Sequence, residues 1–338
     1  MGIFGKKKLL KILLVVLALL LCALVAVCVI GNSVLGNIGR LDGHQTLSPE
    51  QLETIFGEGE TIETNPVVDQ AETIFKGKNV VNILLVGQDR REGDSPERTD
   101  AMILCTINKD KKTFTMTSFM RDLWIYIPDH YNQRLNIPYM LGGFDLLNKT
   151  LDYNFGVSAD YNIEIDFSGF MTAIDAVGGV TIELTSAEAN YLNKRGNWDI
   201  EENQHWQLKE GENLLTGSQA LAYSRIRKID SDFKRTNRQR RVLTALLEKA
   251  KALSATEMYS LAKELIPLIR TDMSNSQILS LVVDMVPMLS DLQIVSQRIP
   301  KSGQYSYANK NGASVIVLSE KQLKANLELL ASTMGDGQ

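Results

Sequence analysis

The sequence predicts an α/β fold: a mixed central sheet flanked by helices, forming a single outer domain on one N-terminal transmembrane helix. Three observations lead there. Residues 12–30 are an uncharged apolar run, followed by a polar stretch with no sustained apolar period. From Asn79 onward, short apolar runs ended by Gly, Pro or charged turns alternate with patterns of helical period. This alternation continues to the C-terminus without an internal repeat or low-complexity tract, so one domain is expected rather than two.

The apolar run is long enough to cross a bilayer as a helix. Lys6, Lys7, Lys8 and Lys11 come before or at its start, and only Arg40 follows closely, which puts the N-terminus in the cytoplasm and the bulk outside. A cleaved signal peptide is the alternative, but the run is too long for one and no A-x-A site is present. The expected organisation is a cytoplasmic N-terminus (1–8), a transmembrane helix (9–30), an extracytoplasmic stalk (31–78) and an outer domain (79–338). Within the stalk, Ser48 and Pro49 suit the start of a short helix over 48–55; a flexible linker is the alternative.

The outer domain opens with "VVNILLVG", a buried strand ended by glycine. "AMILCTIN" and "FTMTSF" are two further strands joined by the polar turn "KDKK", and "LWIYIP" is a fourth, ended by Pro128. Helical patterns cover 142–153 and 167–177, then "GGVTIEL" is a strand. A long helix is expected over 236–253, and further helices over 258–269 and 275–289. "DLQIVSQRI" and "ASVIVLS" are the last strands, before a final helix over 320–332.

Composition excludes some functions. The 338 residues are 44% hydrophobic, enough for a sizeable core, and the net charge of −4 argues against general nucleic-acid binding. Of the three cysteines, Cys22 and Cys28 lie in the apolar run and Cys105 stands alone, so no disulfide is expected in the globular part. His44, His130 and His205 are scattered, without zinc-ligand spacing. There is no G-x-x-x-x-G-K-[ST] loop and no G-x-S-x-G elbow.

Charge is concentrated in two places. In the loop "GQDRREGDSPERTDA", Asp89 and Asp100 face each other across the base if the flanking strands are neighbours. Two such carboxylates suit a hard cation such as Mg²⁺, which keeps the rest of its shell for water and phosphate. The following turn brings Arg121 and Asp122 to the same edge. Surface ion pairing is the alternative reading.

The second place is Ala220–Arg241, with six arginines, two lysines and two aspartates, Asp230 and Asp232. "AYSRIR" alternates like a strand, placing Arg225 and Arg227 on one face opposite Ile226. A helix capped at Thr236 would put Arg235 and Gln239 at the head of its buried stripe, with Arg240 and Arg241 outside. The inward set (Arg225, Arg227, Arg235, Gln239) suits phosphate oxygens. Structural pairing with Asp230, Asp232 or the loop carboxylates is the alternative.

The stretches "NILLVGQDRREG", "RTDAMILCTIN", "SFMRDLWIYIP", "RLNIPYMLGG", "DFSGFMTAIDAVGGV" and "GSQALAYSRIRKIDSDFKRTNRQRRVL" together resemble the LytR–CpsA–Psr family of membrane-anchored enzymes of the bacterial cell envelope. The resemblance implies a phosphotransferase that moves a glycopolymer (teichoic acid, capsular or related polysaccharide) from a polyprenyl-pyrophosphate carrier to peptidoglycan through a phosphodiester bond. It implies Mg²⁺ (or Mn²⁺) held by Asp89 and Asp100. It also implies a pyrophosphate gripped by Arg98, Arg121, Arg225, Arg227 and Arg235 with Gln239 beside them, and an apolar tunnel for the prenyl chain. Asp122 and Asp232 are the candidate bases for the sugar hydroxyl. A metal-dependent phosphohydrolase and a non-catalytic envelope-binding regulator are the rival readings. The chain departs from the family pattern at Met120, where proline is usual, and at Arg90, where a small residue is usual.

Overall fold

The computed structural model describes residues 35–36, 38–41, 70–88, 99, 101–194, 206–310 and 312–335. The apolar run 12–30 and the short helix expected over 48–55 lie outside these residues. No helix among the described residues is long and apolar enough to cross a membrane.

Seven strands form the central mixed sheet. They are β1 (Gly39–Arg40), β2 (Val80–Gln88), β3 (Ala101–Asn108), β4 (Thr113–Phe119), β7 (Tyr161–Asp166), β10 (Ile269–Thr271) and β11 (Gln293–Ile299), in spatial order β1-β10-β7-β2-β3-β4-β11. Short two-stranded ribbons pair β5 (Trp124–Tyr126) with β6 (Asn132–Arg134), β8 (Val180–Leu184) with β9 (Gly211–Leu215), and β12 (Ser306–Lys310) with β13 (Ala313–Val317). The helices are α1 (Pro138–Phe155), α2 (Phe167–Ala176), α3 (Ser186–Asn193), α4 (Gly217–Arg225), α5 (Asp232–Lys251), α6 (Ala255–Leu265), α7 (Asn275–Met285) and α8 (Glu320–Met334).

The expected meander is present: β2, β3 and β4 are consecutive antiparallel neighbours. Period-two alternation splits their side chains between two layers. Leu84, Val86, Met102 and Leu104 join a core with residues of α1 and α8, such as Leu147 and Leu330. Ile83, Ile103, Cys105 and Ile107 face the opposite side, where Leu243 and Leu247 of α5 and Leu281 and Met285 of α7 pack. Each fully buried aliphatic side chain contributes roughly 1.5–3 kcal/mol. A third cluster gathers Ile174, Val180, Ile182, Leu192, Leu215 and Tyr223 around α2, α3, α4 and the β8–β9 ribbon.

Two expectations are corrected. "AYSR" is the end of helix α4, not a strand, with Ile226 as its C-cap and Arg227 just beyond. Thr216 and Gln219 form a capping box at the head of α4, and the central Ala220, Leu221 and Ala222 favour a helix. The next helix starts at Asp232, with Ser231 as its N-cap, rather than at Thr236; Thr236 donates its hydroxyl back to the Asp232 carbonyl from inside α5. "YNIEID" (β7), absent from the sequence expectations, lies in mid-sheet. It runs parallel to β2 and antiparallel to β10, a pairing between distant segments.

Described parts of segment 31–78 are attached to the domain. β1 runs parallel to β10, and the amides of Ala71 and Ile74 donate to the carbonyls of Tyr153 and Gly156. Gly156, at φ 63°, ends α1 in the left-handed region; a Cβ there would fall 2.0 Å from the Glu72 carbonyl oxygen.

Candidate functional site: an arginine–aspartate rim at the strand ends

Parallel pairing of β7 with β2 and of β11 with β4, joined through antiparallel β3, makes β2, β4, β7 and β11 point the same way. Their carboxyl ends form one edge, where Gly87 opposes Ala101, Gln88 opposes Asp166 and Phe119 pairs with Ile299. Ligands of open α/β sheets bind at such edges. Asp89, Arg98 and Asp100 fall in the sequence between β2 and β3 and lie outside the described residues. Among the described residues, no three or more His, Cys, Asp or Glu side chains gather as a metal site.

Arg121 and Asp122 follow β4 in a turn held from three sides. The Met120 amide donates to the Ile299 carbonyl at 2.8 Å, the Asn136 amide to the Arg121 carbonyl at 3.2 Å, and the Ile316 amide to the Asp122 carbonyl at 2.9 Å. Met120, where the family usually has proline, thus supplies an N–H that proline lacks. The turn fixes Arg121 Nε 3.8 Å from an Asp122 oxygen and 3.7 Å from Asp232 Oδ1. Arg134 of β6 stands 3.9 Å from Asp122.

Asp232 opens α5, and Arg235, one turn on, holds its Oδ1 at 2.7 Å. Arg235 is 2% exposed, a guanidinium taken almost fully out of water beside a carboxylate. Burial is the main influence on Asp232 and raises its pKa; Arg235 and Arg121 oppose this, Asp122 adds to it, and the net shift is upward. Arg227 also acts on Asp232 through its charge. Thus Arg121, Asp122, Arg134, Asp232 and Arg235 form one cluster, with Arg227 within electrostatic range.

The basic segment divides differently from the sequence expectation. Arg225 and Arg227 are exposed, opposite buried Ile226, so they belong to the solvent-facing rim and not to a buried set. The Arg225 guanidinium covers the Phe167 ring at 4.6 Å, at the head of α2 and on the same sheet edge. Gln239 is half-buried on α5. Arg240, expected outside, is 6% exposed and donates Nε to Ser296 of β11 at 2.8 Å. Arg241 pins α5 to the third cluster, donating to the Tyr223 hydroxyl and the Glu183 carbonyl, both at 2.6 Å. The reason is that α5 is covered on two sides, by the sheet and by the α4–β8 layer, so no single stripe describes it.

Arg238, which sequence reasoning passed over, is 3% exposed. It donates to Glu188 at 2.7 Å, to the Ile226 carbonyl at 3.2 Å and to both Asp230 oxygens. The two aspartates of the segment therefore separate: Asp230 belongs to a structural network, Asp232 to the rim. Asp230 lies before α5, so no helical spacing in the sequence pairs it with Arg238.

The chain matches the LytR_cpsA_psr family over residues 50–332. It belongs to the LytR–CpsA–Psr family. Among curated relatives, it is 34% identical over 187 residues to the polyisoprenyl-teichoic acid–peptidoglycan teichoic acid transferase TagT of Bacillus subtilis (strain 168), covering 54% of this chain and 56% of that protein. It is 35% identical over 190 residues to the corresponding transferase TagU of Oceanobacillus iheyensis, covering 54% and 55%. It is also 33% identical over 182 residues to the regulatory protein MsrR of Staphylococcus aureus (strain COL), covering 53% and 52%. The matches span about half the length of these relatives. Among solved structures, it resembles TagT bound to LIIa-WTA with a TM-score of 0.63 and 26% identity, over 80% of this chain and 97% of that one. It resembles protein gbs0355 from Streptococcus agalactiae with a TM-score of 0.64 and 26% identity, over 77% and 89%. Family membership agrees with the mixed sheet and with the order of the motifs along this chain.

Proposed function

We propose that this protein transfers a glycopolymer from a polyprenyl-pyrophosphate carrier to a hydroxyl of peptidoglycan, forming a phosphodiester. The observation that carries the reading is buried Arg235 paired with partly exposed Asp232, facing Arg121 at the carboxyl edge of the sheet. Related proteins named as teichoic acid transferases, and a related structure bound to LIIa-WTA, support it.

Phosphoryl transfer depends mainly on positioning and charge stabilisation. Arg121, Arg225, Arg227 and Arg235 with Gln239, together with Arg98 between β2 and β3, bind and orient the pyrophosphate oxygens, and guanidinium groups suit this bidentately. Mg²⁺ (or Mn²⁺), when held by Asp89 and Asp100, supplies countercharge to the phosphates. Asp232, its carboxyl raised above the ordinary aspartate value by burial, accepts the acceptor's proton, and Asp122 is the alternative base. The exposed position of Arg225 and Arg227 fits a substrate that arrives from solvent or from the membrane face.

The layer between the sheet and helices α5 and α7 supports the prenyl-chain part of the reading. Val81, Leu85, Leu243, Leu247, Leu281 and Met285 pack there yet remain only partly buried, as walls of a lipid-accepting space would. Anchoring through residues 9–30, with the N-terminus in the cytoplasm and the folded domain outside, would hold this edge near lipid-borne substrate and raise its effective concentration.

The test uses the full chain with Mg²⁺, labelled lipid-linked glycan and peptidoglycan. Label should move onto peptidoglycan, and Asp89→Ala and Arg227→Ala should each abolish transfer with an unchanged melting curve. Label released into solution would favour a phosphohydrolase. Tight lipid binding without turnover would favour a binding or regulatory role, in line with the name of the relative MsrR.

A further inference from the structure

The rim continues past Asp232 into a cavity. A pocket of about 380 Å³ opens between the first turns of α5, the end of β11 and the approach to the β12–β13 ribbon. Ser231 and Phe233, the chain neighbours of Asp232, both line it, so Asp232 stands at its margin. The charge of Asp232 is also felt by Tyr307 on the far wall.

One wall is aromatic. The rings of Phe233 and Tyr305 lie 4.6 Å apart, and Tyr305 meets Tyr307 edge to face at 5.6 Å. Tyr307 is 62% exposed, a large ring left open to solvent inside a concave surface. Ring faces are negative and attract the weakly positive C–H groups of a sugar face. Asn237 and Ser231 add the polar groups that orient hydroxyls.

The other wall is cationic. Arg298 lies over the Phe233 ring at 4.2 Å, and Lys234 projects from α5. Along the same helix, buried Arg240 bonds Ser296 through Nε, while its Nη1 has no hydrogen-bond partner. Burial, with repulsion from Arg298, lowers Arg240 to about 10, and burial also lowers Arg298. Among the described residues, no carboxylate forms an ion pair with Lys234, Arg240 or Arg298. Two cations on the pocket lining, with Arg240 behind them in electrostatic reach of Arg298, favour an anion from outside the fold.

We propose that this pocket is the acceptor subsite: a pyranose of the acceptor strand stacks on Tyr305 and Tyr307, and an anionic substituent of that strand sits between Lys234 and Arg298. The assignment rests on the transferase reading and extends it, because it brings a hydroxyl of the seated sugar to the margin where Asp232 stands. A sugar phosphate of the donor polymer has the same chemistry, so the test separates the two sources.

The full chain in detergent micelles is titrated with a soluble peptidoglycan disaccharide-tetrapeptide and, separately, with N-acetylglucosamine 1-phosphate. The variants are Tyr307→Ala and Lys234→Gln, both at exposed positions. Tyr307→Ala should weaken the disaccharide-peptide about fivefold to tenfold. Lys234→Gln should weaken it about threefold and flatten its salt dependence. Neither variant should change binding of the sugar phosphate. Wild-type affinity in both variants, no binding by the wild type at millimolar fragment, or loss of sugar-phosphate affinity instead would overturn the assignment. Transfer with an unchanged acceptor KM in both variants would remove this subsite and leave the transferase reading intact. Tyr307-dependent binding in a chain that transfers nothing would keep the subsite and remove the transferase reading.

Discussion

Replacing Arg238 with alanine removes the centre of a buried network and isolates a buried carboxylate. The Arg238 and Glu188 side chains are 4% and 8% exposed, and Asp230 is 26% exposed. Without the guanidinium, Asp230 can turn to water, but Glu188 cannot, and breaking a buried pair on one side costs about 3–5 kcal/mol. At about 2–4 °C per kcal/mol for a domain of this size, the melting midpoint should fall by roughly 6–20 °C at pH 7. The pH dependence adds a second, signed expectation. Burial is the largest influence on Glu188 and opposes its ionisation. The Thr185 amide and Arg238 together outweigh it and hold the carboxyl below its usual value. A depressed carboxylate contributes stability above its unfolded pKa of about 4.3, and this is lost as pH falls through the lower folded value. In Arg238→Ala, Glu188 loses that support and is better tolerated protonated. The gap between wild type and variant should therefore narrow from pH 7 to pH 4. Calorimetry on the two chains, with Glu188→Leu/Arg238→Met to test recovery, measures it. A midpoint within about 2 °C of wild type at pH 7, or a gap that widens in acid, would refute the reasoning. The network also holds the Ile226 carbonyl and Asp230, the ends of the loop carrying Arg227, so transfer should fall with stability.

Asp232→Asn should lower transfer by about 10²–10⁴-fold while leaving lipid binding near wild type, as read by single-turnover assay. Burial raises Asp232, so the rising limb of the wild-type pH–rate profile should lie above the ordinary carboxylate range, and the variant should lose that limb. Met120→Pro should destabilise the chain by about 1–3 kcal/mol, because the Ile299 carbonyl loses its donor; denaturant titration reads this. Burial pushes the Cys105 thiol up to about 12, so alkylation at pH 8 should label Cys105 only after denaturation, as peptide mass mapping would show.

Much of the fold was legible in local pattern. The runs at β2, β3, β4 and β11 have the length and punctuation of strands, and the near-continuous burial of β3 and β4 matches their unbroken apolar character, since both faces of the sheet are covered. α4 was not legible from alternation alone, because Tyr223–Arg227 offers a polar–apolar rhythm too short to separate period two from period 3.6; the Thr216–Gln219 capping box was the better signal. β7 and β10 owe their place to partners more than a hundred residues apart, which a local window does not contain. The pocket residues Arg298, Tyr305 and Tyr307 meet Phe233 and Lys234 for the same reason.

The sequence by itself determined the element types over most of the domain, the family motifs and the crowding of arginine and aspartate into few segments. These are properties of nearest neighbours and composition, written in single residues and their spacing. The tertiary structure alone decided which charges are buried. By covering α5 on two faces, it buries Arg238 and Arg240 together with Arg235. Exposure depends on what packs against a helix, and for α5 those partners come from β11 on one side and from α4 and β8 on the other. That packing turned one basic run into a structural anchor at Asp230, a rim at Asp232 and, through Lys234 beside Arg298 of β11, part of a cationic pocket wall.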